Sequence, residues 1–167
     1  MVTLKICQIC LESNTLCEQC KEKLRKGIIN QEEVDVSRAI HSLAKANPEL
    51  KDVEIDYVAD VGKLLVFAPP EHAKKLIGPG GRNVKALNDK IGRFVRIVPR
   101  PRSDKYLIKE LLGNVPLMGI DVLYTESGQV FQVRVSKDHA SRIRIKPKKF
   151  EEIMKKLTGK TVELVFE

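Results

Sequence analysis

The chain has 167 residues, and 43% of them are hydrophobic, which is enough to bury a core in one or two small domains. Its 30 Lys and Arg against 22 Asp and Glu give a formal net charge of +8. This favours a polyanionic partner, although a basic surface rich in Lys and Glu without such a partner is the alternative. No apolar run is long enough to cross a bilayer and the N-terminus lacks the apolar core of a signal peptide, so we expect a cytoplasmic protein with no membrane partner.

All four cysteines lie at the head of the chain, as Cys7-x-x-Cys10 and Cys17-x-x-Cys20. Each pair can direct two thiolates at one tetrahedral ion, and the six residues between the pairs can turn back as a hairpin or knuckle. The spacing predicts a zinc module over residues 1–29, with an iron centre or redox disulfides as alternatives. Four thiolates leave no position for a catalytic water, so the expected zinc is structural.

Residues 30–99 predict the element order α-β-β-α-α-β. Asn30 and Glu33 match a capping box at the start of the first helix, and Pro48 stops that helix. Helical spacing, alternation and glycine or proline punctuation give the other bounds. The predicted elements are a helix from residue 30 to the stop at 47–48, strands over 53–58 and 63–68, helices over 70–77 and 82–91, and a strand over 94–98.

Residues 100–167 predict the same order in a weaker form, after a short Pro-Arg-Pro-Arg connection. The last predicted helix is clearly amphipathic, because Phe150, Ile153, Met154 and Leu157 recur at helical spacing. The predicted elements are a helix over 103–112, strands over 118–125 and 129–135, a short helix over 138–142, the amphipathic helix ending at Gly159, and a strand over 161–166.

The charge is unevenly distributed along the chain. Residues 31–62 carry three Lys and Arg against eight Asp and Glu, whereas residues 63–102 carry ten against two. A second basic stretch, residues 134–149, has seven Lys and Arg and a single Asp. Two basic stretches at corresponding places in two similar units favour a nucleic-acid partner more than one such stretch would.

The segment Ile77-Gly78-Pro79-Gly80-Gly81-Arg82-Asn83-Val84 sets a glycine turn between two predicted helices. A helix N-terminus attracts phosphate, and glycines let a nucleic-acid backbone come close to it. A plain turn between helices is the alternative, and a nucleotide-phosphate loop is excluded because no Gly-Lys-Ser/Thr follows. The candidate binding residues are Lys74, Lys75, Ile77, Gly78, Pro79, Gly80, Gly81, Arg82, Val84 and Lys85.

This segment closely resembles the signature of a KH domain, and the element order resembles the type II, prokaryotic form of that domain. The resemblance implies that Gly78 to Gly81 clamp the backbone of about four single-stranded nucleotides beside an apolar groove. Tandem domains over 30–99 and 100–167 are similar to the KH pair of archaeal NusA-like proteins. The predicted fold class is therefore α+β, with two type II KH domains preceded by the zinc module.

The second unit departs from the KH pattern, because Ile145-Lys146-Pro147-Lys148 occupies the loop position and both glycines are missing. The residues that replace the glycines have Cβ atoms, which are expected to hold a nucleic-acid backbone away from the loop. Either this unit binds phosphates through side chains, or it is a scaffold with a solvated basic face. The side chains in question are Arg142, Arg144, Lys146, Lys148 and Lys149.

We expect a protein without enzymatic activity, because its three histidines are isolated in sequence and its cysteines are assigned to the metal. The resemblance implies a single-stranded RNA-binding factor in transcription elongation or termination, with RNA polymerase as a partner. A ribosome-associated or translation factor that binds rRNA and a ribosomal subunit is the first alternative. An adaptor whose zinc head binds a protein is the second.

Overall fold

A computed structural model describes residues 4–167 of the protein. The chain divides into two compact units, Met1–Arg100 and Pro101–Glu167. Each unit combines helices with one three-stranded sheet, so the predicted α+β class is confirmed. Over the described residues, the longest and most apolar helices still fall short of what a bilayer crossing needs.

Within residues 4–100, the first unit contains five α-helices and the strands β1 to β3. Strand β2 is central, antiparallel to β1 and parallel to β3. The bounds are α1 Gln8–Glu12, α2 Glu18–Arg25, α3 Gln31–Ala44, β1 Tyr57–Asp60, β2 Leu64–Ala68, α4 Pro70–Ile77, α5 Arg82–Ile91 and β3 Val95–Pro99. Short 3-10 turns cover Pro48–Leu50 and Pro79–Gly81, and from α3 onward the order is α-β-β-α-α-β.

The predicted capping box at Asn30 is present and also ties α3 to the sheet. Asn30 Oδ1 accepts from the Glu33 amide at 2.7 Å, and Glu33 Oε1 accepts from the Asn30 amide at 3.1 Å. Asn30 Nδ2 donates to the carbonyl of Val58 in β1 at 2.9 Å. One side chain therefore fixes both the start of α3 and its position on the strand.

The core of the first unit lies between three helices and one face of the sheet. The register places Val58 beside Val66 and Val66 beside Ile97, so these three side chains share that face. The helices contribute the buried residues Val36 and Ile40 from α3, Ala73 and Leu76 from α4, and Leu87 from α5. Helices α4 and α5 are thus anchored by their apolar sides, which leaves the turn between them at the surface.

The second unit repeats the arrangement with one helix replaced by a 3-10 segment. Its elements are α6 Asp104–Leu112, β4 Leu117–Thr125, β5 Gly128–Val135, a 3-10 segment Lys137–Arg142, α7 Pro147–Thr158 and β6 Thr161–Phe166. Strand β5 is central, antiparallel to β4 and parallel to β6. The amphipathic helix is confirmed, because Phe150, Ile153 and Met154 of α7 are buried.

Several predicted bounds differ from the structure, and the largest shift is at the start of β1. Strand β1 begins at Tyr57 and not at Val53, because its partner β2 ends at Ala68 and Pro69 has no N–H to continue the ladder. Val53 and Ile55 are nevertheless buried in an extended segment. The head contains two helices, α1 and α2, one beginning within each cysteine pair.

Candidate nucleic-acid interface and metal centre

The turn between α4 and α5 has the backbone of a glycine loop. Gly78, Gly80 and Gly81 have φ angles of 73°, 62° and 77°, a region that other residues rarely adopt. Gly81 is the N-cap of α5, and no side chain caps that helix. The first turn of α5 contains no acidic residue, so its partial positive charge is not neutralised by its own side chains.

Asn83 holds the loop from inside, a role that the sequence did not predict. Its side chain is 2% exposed, and its Nδ2 donates to the carbonyl of Lys75 at 2.8 Å and to Glu49 Oε1 at 3.2 Å. The first of these bonds joins the last turn of α4 to the first turn of α5. An asparagine near a helix start is too common for its burial to be visible in the sequence.

The three glycines differ in what an added Cβ atom would contact. A Cβ on Gly78 would lie 2.7 Å from Asn83 Nδ2, so packing alone requires glycine there. A Cβ on Gly80 would have no neighbour within 4 Å, and one on Gly81 would make an ordinary 3.8 Å contact with Val84. Gly80 is exposed and packs against no other residue, so a bound group can approach the backbone closely at this position.

The candidate cations around the loop are available to a ligand. Lys74, Lys75, Arg82 and Lys85 are exposed. Across residues 4–167, none of the four has an ion pair or a side-chain hydrogen bond with the protein. Ile77 and Val84 flank the loop, half-buried against the core, and form its apolar side. The structure therefore brings all ten predicted loop residues to one surface region.

The corresponding place in the second unit is built differently. Between Ser136 and Thr158 no residue has a positive φ, and Ile145 is buried where the loop leads into α7. Arg142, Arg144, Lys146 and Lys148 are exposed, whereas Lys149 is half-buried and lies 3.4 Å from Glu152. Helix α7 also begins without a side-chain cap or an acidic residue in its first turn. At this surface a ligand can contact charged side chains but has no glycine loop through which to approach the backbone closely.

The four cysteines converge in the head, each CxxC pair spanning the start of a helix. All four Sγ atoms lie within 4.8 Å of one another, with Cys7 Sγ 3.4 Å from Cys10 Sγ and 3.8 Å from Cys17 Sγ. A tetrahedron of sulfurs about 2.3 Å from a central ion has edges of about 3.8 Å, so the donor set is compatible with a metal site. In the described part of the chain, no other group of His, Cys, Asp and Glu side chains is arranged this way.

The thiols fall into an inner and an outer pair. Burial raises the pKa of Cys10 to about 12 and also raises the pKa of Cys20. The backbone N–H of Cys20 lowers the pKa of Cys17 to about 7, and that of Cys10 lowers the pKa of Cys7. A cation is the group that would stabilise the buried thiolates, and its binding would release protons.

The head packs on α3 and is not an isolated appendage. Ile6, Cys10, Cys20 and Ile29 form one apolar cluster with Val34 of α3. Arg38 Nε of α3 donates to the carbonyl of Cys10 at 3.1 Å, and Lys5 Nζ lies 3.6 Å from Glu33 Oε2. The structure of the cysteine cluster is therefore coupled to α3, the helix that begins with the capping box.

Comparisons with known proteins bear on the fold. No family model and no curated protein matches this chain. Among solved structures, 69 chains match. One of them, titled "Crystal structure of APE1850", is 19% identical over 78% of this chain and 96% of its own length, with a TM-score of 0.53. The matched share exceeds the length of either unit alone, so the likeness in fold takes in parts of both.

The different surroundings of Gly78 and Gly80 predict different costs for the same substitution. Gly80→Ala should reduce the free energy of unfolding by about 1 kcal/mol, because only the positive φ opposes it. Gly78→Ala should cost about 1–3 kcal/mol more, because its Cβ also collides with Asn83. Chemical denaturation followed by circular dichroism measures both. Equal losses in the two variants would show that Asn83 does not pack on Gly78.

Proposed function

We propose that the protein binds single-stranded RNA, and that its first unit is a type II KH domain that holds the RNA backbone at Gly78 to Gly81. The observation that carries the proposal is the exposed glycine loop at the uncapped start of α5, surrounded by four unpaired cations. A phosphate at this position meets backbone N–H groups, a favourable helix dipole and long side chains of opposite charge.

The order of the elements along the chain and the apolar residues beside the loop favour RNA over another anion as the ligand. From α3 onward the first unit has the α-β-β-α-α-β order that the KH resemblance implies, and both units have a central strand antiparallel to one neighbour and parallel to the other. Ile77 and Val84 give the loop an apolar border on which bases can pack, whereas inorganic phosphate or a nucleotide tail needs no such border. Single strands are favoured because their bases are free to leave a stack.

We assign the second unit, residues 100–167, to a degenerate KH domain that contacts phosphates through side chains. Arg142, Arg144, Lys146 and Lys148 supply the charge, and Lys149 contributes less because Glu152 is beside it. Side-chain contacts to phosphate add affinity but little sequence preference. In this account the first unit holds the RNA backbone at the glycine loop, and the second unit makes a separate electrostatic contact.

Zinc is the ion we propose for the cysteine cluster, in a structural role. A closed set of four thiolates suits Zn²⁺, and it leaves no position for a reacting water. When bound, the metal would add folding energy to the head, whose apolar cluster with Val34 is small. Cys7, Cys10, Cys17 and Cys20 would be its ligands.

For the cellular role we propose transcription elongation or termination, on the resemblance to NusA-like proteins. Isolation of the protein from cells tests this directly. Co-purification with RNA polymerase supports the proposal, whereas co-sedimentation with ribosomal subunits would assign the same surfaces to rRNA and a translation role.

A charge at Gly80 tests the loop with a matched control. Asp and Asn have nearly the same shape and both tolerate positive φ better than other residues, so Gly80→Asp and Gly80→Asn strain the backbone alike. Only Gly80→Asp places a negative charge where phosphate is expected. Fluorescence anisotropy with a mixed-sequence RNA of about ten nucleotides should show at least about tenfold weaker binding for Gly80→Asp than for Gly80→Asn.

The same titrations repeated at several salt concentrations separate the two units. Gly80→Asp should also reduce the slope of log K against log salt, because about one phosphate contact is lost. If both Gly80 variants bind like the unmodified protein while a Gln substitution of Arg142, Arg144 and Lys146 abolishes binding, the second unit is the binding site and the loop proposal is wrong.

The metal proposal predicts one zinc ion per chain in the purified protein. Cys17→Ser should lose the metal, whereas Gln19→Ser, at an exposed position of α2 between Cys17 and Cys20, should retain it. A chelator should lower the melting temperature of the protein, and acidification should release zinc because protonated thiols cannot bind it. Elemental analysis and thermal unfolding measure these effects. Absence of zinc, or iron in its place, would contradict the assignment.

A further inference from the structure

Strand β4 of the second unit leaves one long hydrogen-bonding edge open. It runs for nine residues, Leu117–Thr125, and within residues 4–167 it pairs with β5 alone. Proteins usually protect such an edge with proline, lysine or a bulge. Here the strand has no proline and no lysine, and its one irregularity, at Met118, leaves residues 119–125 in regular register. The edge is therefore free to add another strand.

The side chains of β4 are apolar on a face that is buried elsewhere in the sheet. The register places Ile120 beside Val133 and Val122 beside Phe131, so they share the face of the buried Val133. Along β4 this burial stops: Ile120 and Val122 are each 39% exposed, and Tyr124 is 80% exposed. The edge thus combines unpaired backbone groups with an uncovered apolar row.

Charge distinguishes this surface from the proposed RNA-binding surfaces. Residues 111–133 contain no Lys or Arg, although the chain has 30. The charged residues in that stretch are Asp121, which lies 2.8 Å from Arg134 Nε, and Glu126. This stretch therefore has no cation with which a polyanion could pair. Two copies of a chain with net charge +8 can, however, approach each other through this segment with the least repulsion.

We propose that β4 pairs antiparallel with β4 of a second copy of this chain, about a twofold axis at Val122. This register places Ile120 opposite the partner's Tyr124, a favourable aromatic and β-branched pair, and Asp121 opposite the partner's Leu123. An axis at Asp121 would place two carboxylates face to face. The twofold pairing makes one six-stranded sheet and covers the β4 edge of both copies, so this contact cannot add a third copy.

Sedimentation equilibrium of the full, zinc-loaded chain without RNA tests this pairing. The unmodified protein should form a dimer that dissociates on dilution. Val122→Lys should weaken dimerisation at least about tenfold, because it places two lysines opposite each other at the twofold axis. Ile28→Lys is the matched control: Ile28 is 60% exposed and lies in the first unit, so this variant should dimerise like the unmodified protein.

Three results would overturn the proposal. They are a monomer at all concentrations, a dimer that Val122→Lys leaves intact, and a dimer in which hydrogen exchange leaves the β4 amides unprotected. If Val122→Lys fails to fold, Tyr124→Lys takes its place, since a side chain that is 80% exposed contributes little to the packing of the unit. The test is independent of RNA binding, so Gly80→Asp should remain dimeric.

Discussion

The hydrogen bond from Asn83 Nδ2 to the Lys75 carbonyl is the contact on which the candidate RNA site depends. It joins the end of α4 to the start of α5, and it places the asparagine amide where only a glycine at position 78 fits. With the two helices fixed in this way, the chain must cross between them in a few residues of positive φ. The loop is thus shaped from the inside by a buried amide, and its outer side, at Gly80, is left free for a ligand.

The two units share a strand arrangement but differ in the segment before the final helix. Both have a central strand with one antiparallel and one parallel neighbour, and both place cations before the final helix. In the second unit the approach to α7 contains no residue of positive φ, and Ile145 is buried just before the helix begins. A ligand can meet long cationic side chains there, but its backbone cannot reach the helix N-terminus closely. The same framework therefore supports a geometrically defined contact in one unit and a diffuse electrostatic contact in the other.

Features that are encoded locally could be predicted from the sequence, and those that depend on distant partners could not. The capping box at Asn30, the helices on either side of Gly78 to Gly81 and the amphipathic α7 follow from spacing and glycine punctuation. The start of β1 was predicted too early, because the alternation of Val53 and Ile55 persists where β2 no longer provides a partner. The roles of Asn83 and of the open edge of β4 depend on which side chains and strands lie nearby in space. No periodicity in the sequence reports either.

The most direct test of the account is an RNA titration of the full chain, labelled with nitrogen-15, followed by NMR. If the loop holds the RNA backbone, the largest shifts of backbone amide signals will be at Gly80, Gly81 and Arg82, with smaller changes at Lys146 and Lys148. If the loop amides do not shift while the amides at the start of α7 do, the glycine loop is not the RNA-binding site. The central claim would then be contradicted.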